Sequence, residues 1–471
     1  MARDERDERI ERLEAQVSRL LDRLAVAEAE NKRLRVRVAE LEAQVGQKST
    51  NSHKPPSSDP PGTRPEKPTT GRGRGGQPGH KPHKRVLLPP ERVTRRTDVR
   101  PEACGCCGGR RLSRAGEEPR VHQVVDVPEV NPDVHELRMH ASTCRDCGET
   151  TWARLPNAVP AHMFGPRLLA LIGYLVAVRT SRRQIRELLA ELFGIPVSLG
   201  ALSEAEERTS AAIERPVEEA VAHVRDQPVK HVDGSTWRRE GAYAALWTIA
   251  TRLVTVFFVT PDARAETIQG LLGTLRGILI SDRGSQFGFW AMDRRQVCWA
   301  HLIRKFVAFS ERSDEGAALG DSLLLVAHAA LHQWHRVRDG TLSRTRYRTV
   351  AAHSQTAIEN LLERGVALGL RGLSGACEDV LKHRDALFTF ALELGVEPTN
   401  NEAERALRPF VLWRKVSYGS QSERGCVFAQ RIMTVAHTLR QQKRSIFAFL
   451  VEACHAHAES RRTPSLLPAT R

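Results

Sequence analysis

Between Gly46 and Arg100 the chain carries ten prolines and thirteen Lys or Arg against four Asp or Glu. Such a segment cannot bury enough apolar surface to offset its conformational entropy, so it is expected to remain extended and solvated. It forbids one continuous core and divides the 471-residue chain into a short N-terminal element and a long C-terminal remainder. Its Gly71-Arg72-Gly73-Arg74 centre reads either as a basic arm for a DNA minor groove, through Arg72 and Arg74, or as plain linker.

Before this segment a heptad runs from Ile10 to Val45. Its a positions are Ile10, Val17, Leu24, Asn31, Val38 and Val45, and its d positions are Leu13, Leu20, Ala27, Leu34 and Leu41. In a parallel in-register pair, Arg9 meets Glu14, Arg23 meets Glu28, Glu30 meets Arg35 and Arg37 meets Glu42, all of opposite charge. A single Asn31 at an a position penalises trimers and shifted registers. The pattern predicts a homodimeric coiled coil, against the alternative of one amphipathic helix docked on its own chain.

Beyond the segment, Cys104-x-x-Cys107 and Cys144-x-x-Cys147 have the spacing of a four-thiolate zinc ribbon, with Gly108 and Gly148 allowing the tight turns. Val121–Val127 and Val134–His140 read as its strands, and Cys106 leaves a shifted ligand register open. The remaining cysteines make no extracellular disulfide framework. A net charge of +15 and a pI near 9.8 favour a polyanionic partner, above all double-stranded DNA. The longest apolar run, Leu168–Val178, is too short to span a bilayer and the N-terminus has no signal-peptide hydrophobic region. The expectation is a cytoplasmic, nucleoid-associated protein without a membrane partner. Residues 166–215 read as helices with Arg179, Arg182, Arg183 and Arg186 at a turn, either a helix-turn-helix or a plain bundle. The acids from Glu204 to Glu219 argue against laying the later helix on phosphate.

Three acids stand in settings suited to metal-dependent phosphoryl transfer. Asp233 follows the short β-branched stretch Val229–Val232, Asp282 follows the apolar strand Gly277–Ile280, and Glu404 lies in the first turns of a helix that Asn400-Asn401 can cap. Carboxylates from separate elements are what two divalent ions, Mg²⁺ or Mn²⁺, require. Singly, such residues are more often turn residues or surface pairs. Tyr243–Ile249 and Leu253–Val259 complete a three-strand meander, and Ala263–Leu275 reads as a helix. The distance from Asp282 to Glu404 exceeds any ordinary connection, and helical periodicity at Leu319–Leu342, Thr349–Leu370 and Cys377–Leu394 predicts an all-helical insertion. Arg405, Arg408, Arg414 and Lys415 follow the third acid and are candidates for phosphate contact.

The segments GILISDRGSQF, QVCWAHLIRKF, PTNNEAERALRP, RKVSYGSQSERG and PSLLP resemble, in order, those of the insertion-sequence-66 family of DDE transposases. The resemblance implies an RNase H-like catalytic domain with Asp233, Asp282 and Glu404 as its acids, Glu402 being the competitor for the third. It implies a DNA-binding role for the ribbon. It also implies that Cys298-x-x-His301 is a signature placing His301 near the active site, with Trp299 able to touch a flipped base. One departure is Gly234-Ser235, where relatives often carry an acidic residue and Thr.

The expected α/β organisation is a coiled coil at 1–46, a basic disordered linker at 47–100, a zinc ribbon at 101–160 and a helical region at 161–225. An RNase H-like core follows at 226–310 and 398–471, split by the helical insertion at 311–397. The expected function is cleavage and joining of transposon ends. The alternatives are an inactive end-binding protein and a nuclease without strand transfer.

Overall fold

The computed structural model describes residues 16–17, 19–34, 38, 47–52, 59, 86–113, 116, 118–156, 159 and 162–468. Ile10, Leu13, Leu41 and Val45 of the heptad, with Arg72 and Arg74 of the basic arm, lie outside the described residues. Residues 19–34 are helical and exposed throughout, with Leu20, Leu24 and Leu34 between 54% and 56% accessible.

The cysteine-bearing region is small. Strands β1 (Ala141–Thr143) and β2 (Thr150–Trp152) pair antiparallel around the second knuckle. The strands expected at Val121–Val127 and Val134–His140 are not formed. Val124 and Val127 are 84% and 80% exposed, so no apolar face is there to be buried by pairing. Instead the Gln123 amide bonds both the N–H and the carbonyl of Leu88, at 2.7 and 3.0 Å.

Four helices precede the main sheet: α1 (Pro166–Ala177), α2 (Arg182–Phe193), α3 (Leu199–Ala212) and α4 (Glu214–Asp226). Ser181 and Gln184 form a reciprocal capping box that starts α2, and Gly194, at φ 62°, ends it. The sheet then follows with β3 (Val229–Arg239), β4 (Ala242–Ala250), β5 (Thr255–Thr260), α5 (Ala265–Leu272), β6 (Ile278–Ser281) and β7 (Arg295–Val297). Its order is β5-β4-β3-β6-β7. The first three strands form the expected antiparallel meander, while β6 and β7 run parallel to β3. Helix α5 ends at Leu272, three residues short of the expected Leu275, because Gly273 takes a φ of 67° that suits glycine and ends the helix.

After β7 come α6 (Trp299–Ser310), α7 (Gly316–Arg338), α8 (Arg344–Ala367), α9 (Ser374–Leu381) and α10 (Thr389–Leu392). They share a core of their own around Leu323, Trp334, Tyr347, Ile358 and Phe390. Three helices close the chain: α11 (Asn401–Ser417), α12 (Glu423–Gln441) and α13 (Ile446–Ala458). Their apolar faces join α1–α4 and the meander in the larger core. Helix α3 packs against α1, α12 and α13. Its Glu207 pairs with Arg424, so this is a wedged acidic helix, and the basic edge open to solvent belongs to α2.

Both sheet edges are sealed by side chains rather than left as open ladders. On β5, Thr434 and Thr438 of α12 accept the N–H groups of Phe257 and Thr255, each at 3.1 Å. On β7, Gln296 accepts the N–H of Phe390 at 2.8 Å and Thr389 donates to the Arg295 carbonyl at 2.6 Å. No helix among the described residues is long and apolar enough to cross a membrane.

Candidate active site

Strand β3 does not end at Asp233 but continues six residues beyond it as one arm of the β3–β4 hairpin. What ends there is its parallel neighbour. Register pairs His231 with Ile280, so Asp233 and Asp282, each two residues further on, stand level on adjacent chains. Neighbouring strands are about 4.8 Å apart. Gly234 is a strand residue paired with Trp247, and a Cβ there would sit 2.5 Å from the indole. A side chain at 234 would therefore collide with the Trp247 ring, which occupies that space.

Asp282 leaves β6 into a turn in which its carboxylate accepts the Gly284 N–H at 2.9 Å. Beneath it, fully buried Arg295 donates to the Asp282 carbonyl at 2.6 Å and to Ser281 Oγ at 3.3 Å. Burial pulls this guanidinium down to about 10, against the opposing charge of Asp282. Next to it, Arg283 pairs with Asp379 of α9 at 3.2 Å, tying the turn to the helices that follow β7.

Glu404 is delivered by α11. Asn400 precedes that helix, but its side chain makes no capping bond. It is fully buried and donates from Nδ2 to the Val232 carbonyl at 2.7 Å, while its N–H reaches Cys298 Sγ at 3.2 Å. The start of α11 is thereby pinned beside Asp233. Cys298 Sγ lies 3.7 Å and His301 Nε2 3.9 Å from Glu404 Oε1. Burial, with the Glu404 charge adding to it, pushes the Cys298 thiol up to about 12, so it serves here as a neutral donor. Glu402, by contrast, is exposed and pairs with Arg405.

Asp233 feels the other two acids. Burial first, then the charges of Asp282 and Glu404, push the Asp233 carboxyl up to about 7, although it accepts the Gly234 N–H at 2.9 Å. Like charges gathered in this way are suited to cations. Among the described residues, the trio whose ligand atoms all lie within 4.8 Å of one another is Cys298, His301 and Glu404 rather than the three carboxylates. A two-ion site tolerates this: with Mg–O bonds of about 2 Å and ions about 4 Å apart, acids on different ions stand up to roughly 8 Å from each other. The donor set, carboxylate oxygens from a strand, a strand-end turn and a helix, fits hard divalent ions.

The expected DNA contacts fare unevenly. Trp299 is fully buried, its indole N–H donating to the Leu387 carbonyl at 2.6 Å and its ring packed 5.0 Å from Phe388. The expectation that it meets a flipped base is therefore corrected, since the first turn of α6 points this ring into the helical core. Arg414 turns back onto β3, bonding Ser235 and Thr236. Arg405, Arg408 and Lys415 lie exposed on α11. Sequence reasoning missed Arg295 and the true role of Asn400; the doubled asparagine was the available signal, since one suffices to cap a helix.

In the cysteine-bearing region each knuckle is formed. Gly108 and Gly148, at φ 71° and 74°, donate to the carbonyls of Cys104 and Cys144, each at 2.9 Å. Hydrogen bonds from the Cys107 and Cys147 backbones lower the Cys104 and Cys144 thiols, which favours thiolate ligands. The thiols group by knuckle, Cys104 with Cys107 and Cys144 with Cys147, and no three of the four lie within 4.8 Å of one another.

Comparison with known proteins agrees with this architecture. Residues 101–148, spanning all four knuckle cysteines, match the zinc-finger binding domain of transposase IS66, which supports structural Zn²⁺. Residues 2–86 match a family of unknown function. An uncharacterized protein of Sinorhizobium fredii, y4hP, is 25% identical over 375 residues, covering 72% of this chain and 68% of the relative. Residues 161–427, more than half of the chain and inclusive of Asp233, Asp282 and Glu404, match the family described as Transposase IS66. The chain belongs to the IS66 family of transposases.

Proposed function

We propose that this transposase cuts and joins DNA by a DDE mechanism in an RNase H-like core, with Asp233, Asp282 and Glu404 holding a pair of Mg²⁺ or Mn²⁺ ions. The observation that carries the reading is the convergence of three acids from β3, β6 and α11, felt as the raised carboxyl of Asp233. The antiparallel meander continued by parallel strands supports the fold assignment. When bound, the ions activate the attacking oxygen and stabilise the leaving one.

The chain's own residues arrange the reaction. Asp233 is central, flanked by Asp282 just past the end of the neighbouring strand and by Glu404. Arg295 fixes the backbone of Asp282, and Asn400, Cys298 and His301 orient Glu404. Water attacks the terminal phosphodiester of a transposon end and frees a 3′-hydroxyl, which then attacks target DNA at the same site. Neither step needs a covalent protein intermediate. Arg405, Arg408 and Lys415, with the basic edge of α2 and the arm at Arg72 and Arg74, neutralise backbone phosphates. The exposed a/d stripe at 19–34 supports a parallel homodimer that brings two ends together.

Asp233→Asn is expected to bind double-stranded end DNA with wild-type affinity in a gel-shift assay and to lose Mg²⁺-dependent cleavage by at least 10³-fold, roughly the scale of a lost catalytic group. A variant that still cuts refutes the assignment. Strand transfer by wild type on pre-cleaved ends separates a transposase from a nuclease that only cuts.

A further inference from the structure

Helix α11 runs alongside β3 in the same direction. It starts against Val232, through Asn400, places Phe410 4.9 Å and Trp413 6.2 Å from Trp237, and ends where Ser420 bonds the Arg238 carbonyl at 2.9 Å. Beyond the acids the two elements border a cavity of about 370 Å³ lined by Thr236, Trp237, Arg238, Tyr243, Arg414 and Tyr418. Two of the chain's four tyrosines are here, and both are strongly exposed, Tyr243 at 56% and Tyr418 at 77%. The residues around the cavity carry arginines and no carboxylate.

Tyr418 stands out further because it caps α11 at φ 57°, its N–H bonding the Arg414 carbonyl at 2.9 Å. Glycine is the residue that adopts this left-handed cap without strain, and Gly419 stands directly after it. A bulky aromatic at such a position, with its ring in solvent, does nothing for the helix and is placed for something outside it. From Asp233 to Arg238 is five residues, or about 17 Å along the strand. Even at the 3.4 Å per nucleotide of a stacked strand that is at most about five nucleotides from the reacting phosphate, and fewer where the strand is unstacked and extended.

Resting on the reading that this chain works on DNA ends, we propose that the Tyr418–Tyr243 pocket binds unpaired bases of a single DNA strand a few nucleotides from the cut. Ring faces stack on the bases, and Arg238 meets the backbone. Paired bases present only their edges, whereas every unpaired base offers a face to an aromatic ring, which is why the occupant is a single strand rather than duplex.

The test uses the full-length, zinc-loaded chain in the Asp233→Asn background, so that binding is read without cleavage and survives failure of the two-metal reading. The probes are a fluorescein-labelled oligo-dT 12-mer carrying 5-iododeoxyuridine and a duplex of the same length. Photocrosslinks mapped by mass spectrometry are expected at Tyr418 or Tyr243. Tyr418→Ala is expected to weaken oligo-dT binding about 10-fold, the scale of one stacked base, with duplex affinity unchanged and Tyr418→Trp restoring it. Tyr418→Gly should melt no lower than wild type yet bind oligo-dT as poorly as the alanine variant, which separates stacking from folding. Crosslinks confined to other regions, or equal losses for single strand and duplex, overturn the proposal.

Discussion

Asp233 shows how a carboxyl buried beside two others weighs on the protein. Its carboxyl titrates near 3.8 when unfolded and at about 7 when folded. Below pH 3.8 both states are protonated and nothing is lost. As pH rises toward 7 the folded state holds its proton longer than the unfolded one, so stability falls, and above 7 the loss is complete. The upper bound is about 4 kcal/mol, reduced by solvent at this half-buried side chain. Asp233→Asn should therefore melt several degrees above metal-free wild type at pH 8, with the gap closing toward pH 4. Mg²⁺ should raise the melting temperature of wild type alone. A gap that does not change with pH, measured by calorimetry, would remove the electrostatic account. The strand that carries Asp233 was readable from its β-branched lead-in. The steric demand on Gly234 was not, because the Trp247 ring comes from another strand.

At the level of elements, the site exists because β3 outruns β6. The meander, the strand before Asp282 and the helix bearing Glu404 were all legible from alternation and helical periodicity. The length of β3 was not: Gly-Ser-Thr after Asp233 has the composition of a loop, and only pairing with β4 makes it a strand. The sealing of β5 is likewise tertiary. Thr438 accepts the Thr255 N–H at 3.1 Å and donates to its carbonyl at 2.9 Å, while Thr434 accepts from Phe257. Thr434→Val with Thr438→Val keeps the volume but strands three buried backbone groups, so a loss of about 2–4 kcal/mol in urea unfolding is expected. A loss under about 0.5 kcal/mol would mean that the edge needs no seal.

Across the whole molecule, the working core at 162–468 follows a small knuckled module, which a proline-rich basic segment in turn links to an N-terminal helix. The exposed Leu20, Leu24 and Leu34 leave an apolar stripe that a second copy would bury. Removing residues 1–46 is expected to convert the protein from dimer to monomer in sedimentation equilibrium. Binding of paired transposon ends should weaken with it, while single-end binding persists. A truncated chain that stays dimeric places the contact elsewhere. The net charge of +15 implies that end binding falls steeply with salt in both forms.

Local pattern alone was enough to specify both cysteine knuckles, the antiparallel meander and the run of helices after β7, because each depends on residue type and spacing within a short window. Which residues support the three acids came from packing between distant segments. Asn400 reaches Val232 across 168 positions, and Trp299 is withdrawn into a core built from helices up to 91 residues later. No local window contains both partners of such a contact, so burial and reach had to be settled by the folded chain.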